Sequence, residues 1–283
     1  MKVFQTVHDI QKCLLEINDK HGKTFGFVPT MGALHQGHLS LIQSSKEKTD
    51  ITVASIFVNP TQFNDQKDFE KYPIQIDKDL EMLLDAGCDI VLVPSVEEVY
   101  PYGTVEKTGV NLGFLGKTLE AEHRKGHYEG VLQVVKRLLD IVQPDFLFLG
   151  QKDYQQCLVL SKLIEHYHLP IQLEICPTLR EKDGLAMSSR NMRLTAEERT
   201  MALQLSASLF YIKEHINDFP IKTLIETELE KLNQYDLIKT EYLEIVNGKT
   251  LKKIKHFNPK IPTVALIAAK VGEIRLIDNV IIT

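Results

Sequence analysis

The residues most able to do chemistry are His35 and His38, which stand across Gln36 and Gly37 in the run Pro29-Thr30-Met31-Gly32-Ala33-Leu34-His35-Gln36-Gly37-His38. Spaced three apart, they turn toward the same side of one helical turn. The opening turn of a helix carries unpaired N–H groups and the positive end of the helix dipole, so it attracts phosphate. Gly32 permits a tight turn, and Gly37 lets a phosphate approach the backbone. Imidazoles beside that phosphate donate hydrogen bonds to oxygens that gain charge as a reaction proceeds. The same spacing also serves metal sites and purely structural histidine pairs. No Cys or carboxylate cluster stands nearby in sequence to complete a metal shell, so phosphate chemistry is preferred.

Two further groups carry compatible chemistry. Gly150-Gln151-Lys152-Asp153 follows an apolar run, where Lys152 can neutralise phosphate and Asp153 can orient it or help hold a metal-nucleotide. Met187-Ser188-Ser189-Arg190 offers two hydroxyls, successive backbone donors and one fixed cation, a set suited to a triphosphate. Taken singly, the first is also a common surface Lys–Asp pair and the second a polar linker.

Such groups need elements to hold them. Thr24 to Val28 reads as a buried strand that Pro29 stops, and Leu39, Ile42 and the stem of Lys46 place a helix start near Gly37 or His38. Strands are expected over Ile51–Phe57, Ile90–Val93, Phe146–Leu149 and Ile171–Ile175. Helical spacing marks Ile76–Leu84, ended by Gly87, then Val131–Val142, then about Tyr154–Tyr167. This alternation implies a parallel sheet covered by helices, whose ligands sit at the carboxyl ends of the strands. GxGxxG and the Walker loop are both missing, so the nucleotide site would be of another Rossmann-like type.

The pattern changes after Pro177. Residues 180–193 read as a polar, mobile loop. Thr195 and Glu198 have capping-box spacing and open a helix through Ala202, Leu205, Leu209, Ile212 and Ile216, with a second over Ile221–Leu232. Strands follow at Tyr242–Val246, Val264–Ala268 and Ile274–Ile277. The expected fold is therefore α/β, a Rossmann-like parallel-sheet domain at 1–176 and a smaller C-terminal α+β domain at 184–283. The hinge falls at about 177–183.

Composition narrows the partners. With 283 residues, 43% hydrophobic and 25% charged, the chain is long enough for two ordinary globular domains. A net charge of −5 gives no general attraction to nucleic acid or anionic membrane, so an anionic ligand needs a local site. Met1 to Lys20 has neither a signal-peptide core nor a membrane span, which leads us to expect a cytoplasmic protein. Cys13, Cys88, Cys157 and Cys176 form no CxxC pair and read as buried or incidental thiols.

An H-x-G-H helix start coupled to Met187-Ser188-Ser189-Arg190 resembles the HIGH and KMSKS signatures of nucleotidylyltransferases and class I aminoacyl-tRNA synthetases. The resemblance sharpens with Ser55-Ile56-Phe57-Val58-Asn59-Pro60-Thr61-Gln62-Phe63, His127-Tyr128-Glu129-Gly130-Val131, Gly150 to Gln156, and Asp183 to Asn191. Together these blocks look like the pantoate-β-alanine ligase family, in the family's own order. The C-terminal part matches in pattern more than in motif.

That resemblance implies a two-step ligation. ATP adenylates the carboxylate of (R)-pantoate with loss of diphosphate, and the amine of β-alanine then displaces AMP to give pantothenate. It implies ATP contacts from Met31, Gly32, Ala33, Leu34, His35, Gln36, Gly37, His38, Gly150, Gln151, Lys152, Asp153, Leu179, Met187, Ser188, Ser189 and Arg190. His38 has the place of the catalytic acid. His35, His38, Lys152, Ser188, Ser189 and Arg190 carry the transition-state charge, Gln62 and Gln156 bind pantoate, and Gln62 also touches β-alanine. Asn59 and Arg124 are candidates for the pantoate and phosphate environment. Mg2+ with the ATP, and a homodimer, follow from the same resemblance. A nucleotidylyltransferase that leaves its nucleotide on the product, and a nucleotide-binding regulator without chemistry, are the competing classes.

Overall fold

The computed structural model describes residues 1–62, 72–103 and 107–283, with the side chains of 19–21 left aside. Phe63, the last residue of the second resembling block, lies outside the described residues. Backbone contacts group the chain into two compact units. One comprises Met1–Gly116, Glu120–Gly150 and Gln156–Pro177, and the other comprises Lys117–Leu119, Gln151–Gln155 and Thr178–Thr283.

The first unit holds a six-stranded sheet in the order β1-β4-β3-β2-β5-β6. Its strands are β1 (Lys2–Phe4), β2 (Phe25–Thr30), β3 (Ile51–Ile56), β4 (Ile90–Leu92), β5 (Phe146–Gly150) and β6 (Gln172–Cys176), and every pairing is parallel. Side chains alternate between two cores, as a strand with a period of two demands. Phe25, Phe27, Val53, Leu92, Leu147 and Leu149 pack with Ile10 and Leu14 of helix α1 (Val7–His21) and with Leu132 and Leu139 of the His127–Val142 helix. Val28, Ala54, Ile56, Val91 and Phe148 meet Leu41 and Ile42 of α2 (Gln36–Lys48) and Leu83 of the Ile76–Asp85 helix. Both faces are thus covered by helices, which is why the strands read as nearly unbroken apolar runs.

From β2 the sheet extends through β3, β4 and β1 on one side and through β5 and β6 on the other, the chain going first to β3 and β4 and later to β5 and β6. The order therefore switches beside β2, the place where open parallel sheets hold ligands. Two details differ from the sequence reading. Pro29 does not end β2 but pairs within it, opposite Ser55 of β3. It is tolerated because the ladder to β5 covers only Gly26 and Phe27, so no bond is asked of its missing N–H on that side. Strand β1 and helix α1 were not anticipated; the helix starts at Thr6, whose hydroxyl accepts from Asp9 N.

The second unit holds helices Ala196–His215 and Ile221–Leu232 and an antiparallel sheet of β7 (Ile238–Asn247), β8 (Thr263–Val271) and β9 (Ile274–Ile281). Thr195 and Glu198 do form the reciprocal capping box. Leu205, Leu209 and Ile212 pack against Leu243, Ala265, Ile267 and Leu276 to make a core of its own. All four cysteines are buried free thiols, and burial pushes Cys88 up to about 12.

Candidate active site

The turn after β2 is built from unusual backbone. Gly32 and Ala33 have φ of 80° and 50°, and the second of these is a strained value for a residue with a side chain. Two side chains, Asp79 and Thr30, hold this conformation. Asp79, 1% exposed, accepts from Ala33 N through Oδ2 and from Leu34 N through Oδ1, both at 2.8 Å. Thr30 Oγ1 accepts from Gly32 N at 3.2 Å while donating to the carbonyl of Ser55 at 2.7 Å. The loop is thus fixed to β3 and to the Ile76–Asp85 helix before any ligand arrives.

Helix α2 then opens with its own histidines as caps. His35, the N-cap residue, accepts from Gly37 N on Nδ1 at 3.1 Å, and His38 Nδ1 accepts from His35 N at 3.3 Å. The pair fills the role that Ser and Glu play in an ordinary capping box. Because Nδ1 accepts in both rings, each neutral imidazole carries its proton on Nε2. The rings lie with centroids 4.1 Å apart, so two Nε2–H donors are held side by side at the carboxyl end of β2. Four amides of the turn and helix opening are committed, those of Ala33 and Leu34 in the turn to Asp79 and those of His35 and Gly37 at the helix start to the rings.

Beside this turn lies the one after β3. Asn59 is fully buried and acts as its hub. Its Nδ2 donates to Thr61 Oγ1 at 2.9 Å and to the carbonyl of Gly130 at 3.3 Å, and its Oδ1 accepts from the Tyr100 hydroxyl at 3.1 Å. Asn59, expected as a member of the pantoate environment, thus has both ends of its amide hydrogen-bonded within the protein. The turn it shapes carries Gln62, whose Nε2 lies 2.6 Å from Met31 Sδ and whose carbonyl accepts from His127 Nδ1 at 2.9 Å. Met31 and Gln62 are therefore brought together across β2 and β3. Gly130 makes this possible, since a Cβ there would lie 2.4 Å from the carbonyl oxygen of Thr61.

Gly150 ends β5, and Gln156 lies half-buried in the Tyr154–His166 helix. Arg124 Nη1 stands 3.8 Å from Glu120 Oε2, a carboxylate that is itself buried.

The remaining expected residues belong to the second unit. Gln151–Asp153 is a 3-10 turn in which Lys152 Nζ lies 3.5 Å from Asp153 Oδ2. Segment 180–193, read from the sequence as a mobile loop, carries a 3-10 turn and several hydrogen bonds. Arg180 forks onto Asp278 at 2.7 and 2.9 Å, Arg199 holds Asp183 at 2.7 Å, and Met187 N donates to the carbonyl of Leu179 at 3.0 Å. Ser188 caps the 3-10 turn Ser189–Arg193 by accepting from Arg190 N, and Asn191 Nδ2 donates to the carbonyl of Ala186 at 3.0 Å. Burial pushes the Asp278 carboxyl up, and the Arg180 guanidinium works against that push.

A doubly covered parallel sheet with an H-x-G-H helix start at its switch point defines a Rossmann-like α/β protein. The pantoate-β-alanine ligase family model matches residues 2–281, and the chain belongs to that family. Pantothenate synthetase of Cytophaga hutchinsonii is 42% identical over 281 residues, spanning 98% of this chain and 99% of that protein. The crystal structure of pantothenate synthetase from Thermus thermophilus aligns over 100% of this chain and 99% of its own, at 35% identity and a TM-score of 0.93. The pantoate-β-alanine ligase of Francisella tularensis, solved with beta-gamma ATP and β-alanine, aligns over 99% and 97% at 31% identity and a TM-score of 0.82.

Proposed function

We propose that this chain ligates (R)-pantoate to β-alanine at the expense of ATP, through a pantoyl adenylate, releasing AMP and diphosphate. The observation that carries the reading is the mutual capping of His35 and His38 through Nδ1, which fixes both rings and leaves Nε2 as the proton-bearing nitrogen of each neutral ring, in a chain that matches the family from residue 2 to 281. A carboxylate attacking an anionic α-phosphate needs donors aimed at the charge that develops, and rigid ones need no rearrangement during the step. His35 and His38 supply two. Lys152, Ser188, Ser189 and Arg190 supply the cation and hydroxyl contacts to the triphosphate, with Met31 to Leu34, Gln36, Gly37, Gly150, Gln151, Asp153, Leu179 and Met187 forming the rest of the nucleotide site.

Gln62 and Gln156 orient pantoate, since an amide matches a hydroxyl and a carboxylate at once. Gln62 then meets β-alanine, and Asn59 serves by holding the Gln62 turn. Arg124 adds charge at the same edge. No group of three His, Cys, Asp or Glu among the described residues stands ready to hold a metal. The chemistry suits Mg2+ carried by the nucleotide, with Asp153 as the carboxylate that would help to hold it. Bound there, the ion neutralises phosphate charge.

Residues 184–283 form the lid of this reading, hinged at 177–183 on the catalytic residues 1–176 and closing to keep water from the adenylate. The protein works in the cytoplasm as a homodimer. No described helix is long and apolar enough to cross a membrane. The test is exchange of labelled diphosphate into ATP, dependent on pantoate without β-alanine, followed by mass spectrometry of the complete reaction. ADP as product, or exchange that requires β-alanine, overturns the adenylate route.

A further inference from the structure

The motif that carries Lys152 does not hold itself in place. Asn279, 1% exposed on β9, spends its side chain on the Gln151–Asp153 turn. Its Nδ2 donates to the carbonyls of Gln151 and Lys152 at 3.0 and 2.8 Å, and its Oδ1 accepts from Gln151 Nε2 at 3.0 Å. Both amide hydrogens are thus used on the backbone beside Lys152. Asn279 is fixed in turn by its neighbour. Asp278 Oδ1 accepts from Asn279 N at 2.7 Å, while Arg180 forks onto the Asp278 carboxylate and also donates to the carbonyls of Gly184 and Asn279 at 3.1 and 3.3 Å. One buried pair on β9 therefore grips the lysine turn directly and, through Arg180, the loop that leads to the serines.

A fully satisfied buried network of this kind specifies one geometry, because every alternative leaves a polar group unpaired. Of the three residues in the gripped turn, Lys152 carries the cation. From this we infer that Asn279, braced by Asp278 and Arg180, is a positioning residue for the adenylation step: it sets where the Lys152 ammonium stands against the phosphates and touches no substrate itself. The inference rests on the ligase reading above, in which Lys152 acts on ATP.

The experiment is a double-mutant cycle on single-turnover adenylate formation at saturating ATP and pantoate, with Asn279→Ala, Lys152→Ala and the double variant of the full chain. A misplacement of about 1 Å can lower a rate roughly 10²-fold, so Asn279→Ala alone should lose on that order while the pantoate KM stays within about twofold. In the Lys152→Ala background, the same change should cost less than about threefold, because residues that act through one group are not additive. Losses that multiply in the double variant overturn the inference and leave the ligase reading standing. A Lys152→Ala protein that forms adenylate at the wild-type rate overturns the ligase reading's assignment instead. Should Asn279→Ala fail to fold, Asn279→Asp keeps the size and the acceptor for Gln151 and removes both donors. Asn279→Asp should then show the same non-additive loss, and wild-type rates from it refute the positioning role.

Discussion

Replacing Gly130 by alanine tests how the Gln62 turn is held. Gly130 lies within a long helix, where alanine on propensity alone gains about 1 kcal/mol. The new methyl, however, would sit 2.4 Å from Thr61 O, 2.7 Å from Thr61 C and 2.8 Å from Gln62 Cα, against ordinary contact beginning near 3.4 Å. All three are backbone atoms, so no side chain can swing aside. The turn must retreat by about 1 Å, carrying Gln62 with it and stretching the bonds from Asn59 and His127. Overpacking of this kind costs about 1–3 kcal/mol, so against the helix gain of about 1 kcal/mol stability falls by up to about 2 kcal/mol. The larger effect is on pantoate, because a shift of that size lowers a rate by roughly 10²-fold. Urea melts give the first number, and pantoate-dependent diphosphate exchange gives the second. A Gly130→Ala enzyme with wild-type stability and unchanged pantoate kinetics would refute the claim that this approach positions Gln62.

Three further outcomes are expected. His35→Asn and His38→Asn place an amide oxygen where Nδ1 stands, so each should keep the cap and melt near wild type while losing the Nε2–H donor and about 10²-fold in kcat; His35→Ala should in addition lose about 1 kcal/mol of stability. Asp79→Ala leaves two buried amides without an acceptor at about 1–3 kcal/mol each, and a urea midpoint unchanged from wild type would contradict the clamp. Cys88 is pushed from 9.0 up to about 12 by burial, so its thiol stays protonated in the fold; its contribution to stability is intact below pH 9 and is lost as pH rises toward 12. A thiol reagent at pH 8 should therefore label Cys88 only after denaturant is added, which peptide mapping reads directly.

Much of this protein is written in local pattern. Each central strand is an apolar run bounded by a turn, and the capping box at Thr195 is visible as two letters three apart. Strand β1 was not legible because three residues, two of them exposed, carry no period. Helix α1 could have been found from Thr6 and Asp9 ahead of Ile10, Leu14 and Ile17. The H-x-G-H start was legible, but its construction was not. Asp79 lies 46 residues from Ala33, and Asn279 lies 127 from Lys152, and nothing in either neighbourhood marks a residue whose partner is a distant backbone. The hydrogen bonds of Asn59 were hidden for a related reason, since a polar residue after a strand looks the same whether it serves a ligand or a neighbouring turn.

The Asp79 carboxylate has an implication for how binding energy is used. In many nucleotide sites the main-chain amides of the turn are closed by the phosphate itself, so the ligand must organise the turn as it docks. Here an internal anion has already taken two of those amides, and the left-handed turn at Gly32 and Ala33 is finished when the chain folds. The entropy of shaping it has been met during folding, outside the catalytic cycle. Under the proposed function ATP would meet a prepared surface, and contacts that would have gone into ordering the turn remain for the charge that appears only as the phosphorus changes partners.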